Sequence, residues 1–262
     1  VLLAIVGELG QGKTLGITYM AWNNYYYKGR RIYANYDLFG IPFTPVKTIE
    51  KLRKMIPPET SKEEVMSGVE KFFAGDEMWR WVDSRSIGKG VKEKAKVVDD
   101  ILASSRKSFV TIGYSTQIYD QVDKRITGIT DIICYPQISL DMSYCKVLTF
   151  KGPKASSSGM LQPIYFYCEP IFAIYNTYEK VQPLADLNTP ASSEEEIIIP
   201  ITENIAWVKY LKDRGFNDER IESYSAKMQQ MLLRQEDRDM ASPQKLSEDM
   251  KILLRSLEEK KK

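Results

Sequence analysis

Lysine and threonine stand side by side after three closely spaced glycines in "GELGQGKT", residues 7–14. Those residue types at that spacing can hold a polyphosphate, and the stretch fits G-x-x-x-x-G-K-[ST] at every fixed position. The binding stretch runs through Gly7, Glu8, Leu9, Gly10, Gln11, Gly12, Lys13, Thr14 and Leu15. Its glycines let the backbone fold into a nest of inward-pointing N–H groups. The next helix aims its positive N-terminal end at the same place. Lys13 is suited to reach the β- and γ-phosphates, and the Thr14 hydroxyl to sit on Mg²⁺. The chemistry implied is binding of a nucleoside triphosphate such as ATP.

A second candidate is the acidic pair in "KFFAGDEMWRWVDSR", residues 71–85. By itself the pair reads equally as the first turn of an ordinary helix, where acids are favoured by the dipole. With a phosphate loop present, Asp76 becomes the acid that holds the Mg²⁺ water shell. Glu77 becomes the general base that polarises the attacking water. A rival acidic motif is "KVVDDILASSR", residues 96–106, with Asp99 and Asp100. There Val97, Val98, Ile101 and Leu102 follow helical spacing, so the segment reads as a helix. "SFVTIGYSTQ", residues 108–117, reads as a buried strand whose last residue, Gln117, is placed to sense phosphate or water. The alternative is a polar strand-to-loop boundary.

These groups need elements to position them. "VLLAIVG" reads as a buried strand leading into the loop, and "TLGITYMAWNNYYYK" as the helix after it, closed by Gly29. "RRIYANYDL" reads as a second strand. Composition agrees with a globular chain of 262 residues, 43% hydrophobic and 27% charged, and a net charge of +2 advertises no global nucleic-acid or membrane field. Histidine is absent, which removes Ser-His-Asp chemistry and histidine-ligated metals. Cys134, Cys145 and Cys168 lie in apolar, strand-like stretches without C-x-x-C spacing, so reduced core thiols and an intracellular setting are expected. No apolar run is long enough to span a membrane, and the opening strand lacks the basic leader of a signal peptide.

The order of these pieces resembles the zonular occludens toxin-like ATPases of filamentous phages and related archaeal viruses, within the FtsK–HerA superfamily. The resemblance covers about residues 1–183. It rests on "GELGQGKT", on a second strand ending near Asn35, and on an acidic pair followed by an aromatic helix and Arg85. It rests also on a basic "RK" before the sensor strand, Gln117 at its end, Asp123 and Arg125 downstream, and a closing Tyr175-x-Thr177. It implies an α/β, three-layer P-loop NTPase fold with a mostly parallel central sheet. An additional strand is expected between the phosphate-loop strand and the acid strand. It further implies ATP hydrolysis with Mg²⁺ at subunit interfaces of a ring, often a hexamer. DNA, double- or single-stranded, or a DNA-bearing capsid or virion protein would be the partner. Many toxin-like members carry a transmembrane helix after this region. None is seen here, which favours a soluble motor in the host cytoplasm or on the virion.

Residues 39–70 read as an insertion with a helical "TIEKLRKMI". The loop "RSIGKGVKEKAK", residues 85–96, is basic and glycine-containing, fit either to touch phosphates or to be a solvated helix start. "KGPKASSSGM", residues 151–160, reads as a hairpin tip. Residues 184–200 form an acidic connector, and residues 201–262 a helical region. There Thr202 is expected to cap "NIAWVKYLKDRG" and Asn217 the next helix. That region carries 13 basic against 12 acidic residues, so charge does not mark it as a DNA-binding domain. Its apolar stripes suit either a neighbouring subunit, the preferred reading, or a small bundle.

Phosphoryl transfer gains from an arginine supplied in trans. Arg125, Arg85 and Arg106 are the candidates, in that order, unless each merely pairs with an acid such as Asp83 or Asp123. The leading expectation is a DNA-moving ATPase. The alternatives are a nucleotide-dependent switch or assembly factor and, third, a kinase.

Overall fold

The computed structural model describes residues 1–56, 70–77, 104–122, 124–153, 159–180 and 195–233. Its centre is an eight-stranded sheet in the order β3-β2-β4-β5-β1-β6-β7-β8. The strands are β1 (Leu2–Val6), β2 (Arg31–Ala34), β3 (Thr44–Pro45), β4 (Lys71–Gly75), β5 (Val110–Thr116), β6 (Ile132–Ile138), β7 (Tyr144–Lys151) and β8 (Ile164–Tyr167). From β3 to β6 every pairing is parallel. The last two are antiparallel.

The central strands are apolar on both faces because both faces are covered. All seven residues of β5 are buried, and Gly113 in its middle packs closely, since a Cβ there would fall 3.1 Å from Phe72 Cζ. Two clusters result. On one side Ile5, Leu15, Ile17, Ile32, Phe72 and Phe166 pack together. On the other lie Val46, Leu52, Phe73, Ile112, Tyr114 and Ile126.

Helix α1 (Lys13–Lys28) lies on the first side, where Tyr19 stacks on Phe166 with centroids 4.1 Å apart. It ends as expected at Gly29, whose φ of 61° lets its N–H return to the last carbonyls. Helix α2 (Ile49–Met55), from the expected insertion, is capped by Thr48, which accepts from Lys51 N–H. The second strand is shorter than the sequence suggested. It stops at Ala34, because Asn35 turns its side chain onto the acid strand instead.

The two described helices after residue 200 pack on this chain's own core and not on a neighbouring subunit, while residues 234–262 lie outside the described residues. Trp207 and Leu211 of α5 (Ile205–Asp213) and Ile221 and Met228 of α6 (Asp218–Leu233) belong to the same cluster as Phe166. The Trp207 indole donates to Ser225 Oγ and ties the two helices together. The cap of α5 is Asn204, not Thr202, which falls in a 3₁₀ turn. Asn204 wins because its Oδ1 accepts from Ala206 and Trp207 while its Nδ2 donates to carbonyls after α4 (Cys168–Phe172). Asn217 caps α6 as expected, accepting from Arg220 N–H. Cys168 opens α4 and is not in a strand. All three cysteines are free and buried, with thiols pushed up to about 12 by burial.

Candidate nucleotide site

Each functional group arrives on the end of a parallel strand. The register sets Val6 beside Thr116 and Gly75 beside Tyr114. The loop after β1, the acids after β4 and Gln117 after β5 therefore share one edge of the sheet.

The loop is a glycine construction. Gly10 and Gly12 have φ of 81° and 84°, the left-handed region that other residues avoid. Gly12 caps α1 without a side-chain bond, which leaves the first helical N–H groups for a ligand. A Cβ on Gly12 would also fall 2.7 Å from Ile138 Cδ1 at the end of β6. Gln11 folds its carboxamide back, so that Oε1 accepts Glu8 N–H at 2.9 Å and braces the loop. Leu9 is exposed at the tip, and Leu15 is buried beneath. Lys13 is buried and donates from Nζ to the Glu8 carbonyl at 3.0 Å. Burial lowers its pKa, and the nearby Glu77 and Asp76 pull it back up.

Asp76 gathers most of the remaining contacts. It is 4% exposed. Thr14 Oγ1 donates to its Oδ2 at 3.0 Å, and Ser115 Oγ donates to its Oδ1. Its backbone is clamped by Asn35, which accepts its N–H at 2.7 Å and donates to its carbonyl at 2.8 Å. Burial raises the Asp76 pKa, with Glu77 adding to the rise, while the Ser115 and Thr14 bonds oppose it. Glu77 follows with φ of 54°, a strained value for a side-chain-bearing residue. Its N–H donates to the same Ser115 Oγ at 2.9 Å.

β5 separates the acid strand from the loop strand, and Asp76 still meets Thr14 across it. The fold is that of a P-loop NTPase. No family model and no curated protein matches the chain. Among solved structures it is similar to the N-terminal domain of zonular occludens toxin from Neisseria meningitidis, at 18% identity over 67% of this chain and 98% of that one, TM-score 0.44. It is similar also to the genome packaging NTPase of Sulfolobus turreted icosahedral virus 2 in complex with ATP-γS, at 10% identity over 62% and 97%, TM-score 0.39. A KaiC-like protein from Pyrococcus horikoshii matches at 12% identity over 63% and 84%, TM-score 0.34. The fold assignment rests on the strand order and loop geometry above.

Lys13, Thr14, Asp76 and Glu77 thus lie together, with Gln117 half-buried on the same edge. Thr14 and Asp76 offer paired oxygen donors of the kind a hard cation such as Mg²⁺ takes. Arg125 is exposed in the first turn of α3 (Lys124–Ile129). The backbone of Arg106 lies in the 3₁₀ turn Ser105–Ser108, before the start of β5 and so at the edge opposite Gln117. Arg85, Asp83, Asp99, Asp100, Asp123 and the basic loop lie outside the described residues. Sequence reasoning missed Ser115. Its only signal is register, because the residue after Tyr114 must stand beside the residue after Gly75.

Proposed function

We propose that the chain is an ATP-hydrolysing motor that translocates or packages DNA, double- or single-stranded, as a ring of copies such as a hexamer. The observation that supports the ATPase half is the cluster of Lys13, Thr14, Asp76 and Glu77 on one strand edge, with Thr14 Oγ1 and Asp76 Oδ2 in contact. The order of motifs shared with zonular occludens toxin-like ATPases supports the DNA half. It supports also a virus- or mobile-element-derived role in the host cytoplasm or on the virion, with capsid or virion proteins as further partners. Among the described residues no helix is long and apolar enough to cross a membrane.

In this reading Lys13 leaves the Glu8 carbonyl and turns its ammonium to the β- and γ-phosphates. The N–H groups from Gly10 to Leu15 hold the phosphate oxygens. Thr14 and Asp76 would hold Mg²⁺, which would supply charge neutralisation when bound. Glu77 takes the proton of the attacking water as its oxygen bonds to the γ-phosphorus and the bond to the leaving ADP oxygen breaks. Gln117 orients that water, and Arg125 of a neighbouring copy meets the charge that develops. The test is ATP turnover with and without DNA, with protein at a concentration where sizing shows oligomers. A motor is stimulated by DNA. Turnover or binding indifferent to DNA moves the reading to a nucleotide-dependent switch or assembly factor.

A further inference from the structure

The antiparallel end of the sheet has two unlike faces. Side chains alternate along a strand, and on the α1 side Cys134, Cys145, Val147 and Phe166 are buried. The opposite side carries Tyr135, Tyr144, Lys146, Phe150, Tyr165 and Tyr167, and none of these is buried. The register places them as neighbours, with Tyr144 opposite Tyr167 and Lys146 opposite Tyr165. A half-solvated antiparallel sheet is expected to turn polar side chains outward. This one turns out rings. Tyr135 and Tyr167 are 37% and 46% exposed.

The rings are arranged and not scattered. Tyr135 and Phe150 meet edge to face with centroids 5.7 Å apart, and Lys146 Nζ lies 5.8 Å from the Tyr165 centroid. From Tyr144 to Phe150 the row runs for about 20 Å at strand spacing. No carboxylate occurs among the outward positions of β6, β7 and β8.

We infer that this face binds single-stranded nucleic acid, with bases stacked on the tyrosines and Phe150 and the phosphate backbone met by Lys146. Tyrosine and phenylalanine rings accept any base, and a lysine among them meets the backbone. The charge pattern argues against a second copy as the occupant. Two such faces brought together would bury two Lys146 ammonium groups with no carboxylate from either face, at a cost in desolvation. The binding needs no hydrolysis. It is separate from the nucleotide site, and a chain that is no ATPase would still show it.

The test uses the full chain without nucleotide and a fluorescein-labelled dT20 oligonucleotide, read by anisotropy over a salt series. Tyr165→Ala and Tyr135→Ala should each weaken binding roughly 5- to 150-fold, the range for loss of one stacking ring. Tyr165→Phe should keep it. Lys146→Gln should flatten the logarithmic salt slope by about 0.7. DNA-free ATP turnover of Tyr165→Ala should match the unaltered chain, which separates failure of this face from failure of the ATPase reading. Unchanged dT20 binding in both alanine variants overturns the inference. So does loss of self-association in those variants when the unaltered chain binds no dT20, which would assign the face to a second copy.

Discussion

Replacing Ser115 with alanine should damage stability and hydrolysis together while sparing nucleotide binding. The Ser115 side chain is fully buried and carries two bonds, one given to Asp76 and one accepted from Glu77 N–H. A hydrogen bond to a charged group is worth about 1.5–3 kcal/mol, and a buried N–H left unpaired costs about 1–3 kcal/mol. The two effects share one site and overlap, so a loss of about 2–4 kcal/mol is expected. For a domain of this size that is roughly 5–15 °C in Tm. Glu77 also loses the contact that holds its backbone at φ of 54°. General-base catalysis is worth about 10²–10⁴ in rate, and displacement of the base should forfeit at least about tenfold of it. The pH profile carries a second signature. The Ser115 bond holds the raised Asp76 pKa down, so its loss raises that pKa further. Hydrolysis needs the carboxylate, and the acid limb of turnover should move to higher pH. Ser115→Thr, which keeps the hydroxyl, should leave the limb in place. Turnover and an acid limb like those of the unaltered chain in Ser115→Ala would refute the reasoning.

Three further outcomes follow from the same site. Lys13→Ala should abolish tight nucleotide binding, whereas Glu77→Gln should bind normally and lose about 10²–10⁴ in turnover. Normal hydrolysis by Glu77→Gln, with loss in Asp99→Asn or Asp100→Asn, would transfer the role to the rival motif. Asp76 binds its proton more tightly folded than unfolded, so its ionisation removes stability as pH rises from about 3.9 through the folded value. The apo Tm advantage of Asp76→Asn should therefore grow from pH 4 to pH 7 (about the span between the unfolded carboxylate range and neutrality), and a pH-independent difference counts against it. Mixing Lys13→Ala with Arg125→Ala subunits should restore part of the lost turnover, since each lesion lies on a different side of a shared site. Activity per subunit that stays constant down to the monomer would show that no site is shared.

Much of the site was legible because its residues answer demands of backbone and charge. Gly10 and Gly12 announce left-handed turns, and Lys13-Thr14 behind them leaves few other chemistries. "SFVTIGYSTQ" was legible as a buried strand, but its place between loop and acid came from the resemblance and not from the run itself. Ser115 was not legible, because a serine next to the end of a strand acquires meaning only when a neighbouring strand brings Asp76 and Glu77 alongside. The tail helices show the same limit. The spacing of Trp207, Leu211, Ile221 and Met228 declares a buried stripe but does not say which surface buries it. Thr202 and Asn204 are both good caps, and the choice fell to the carbonyls waiting after α4.

Gly12 is held to glycine by two unrelated demands, its φ of 84° and the Ile138 side chain standing where a Cβ would go. Relief of either leaves the other in force. Shortening Ile138 opens room but does not make a left-handed turn acceptable to an L-residue. A change of backbone still meets the end of β6. Seen as a path through sequence space, this position has no single step away from glycine and no two-step detour through its neighbour.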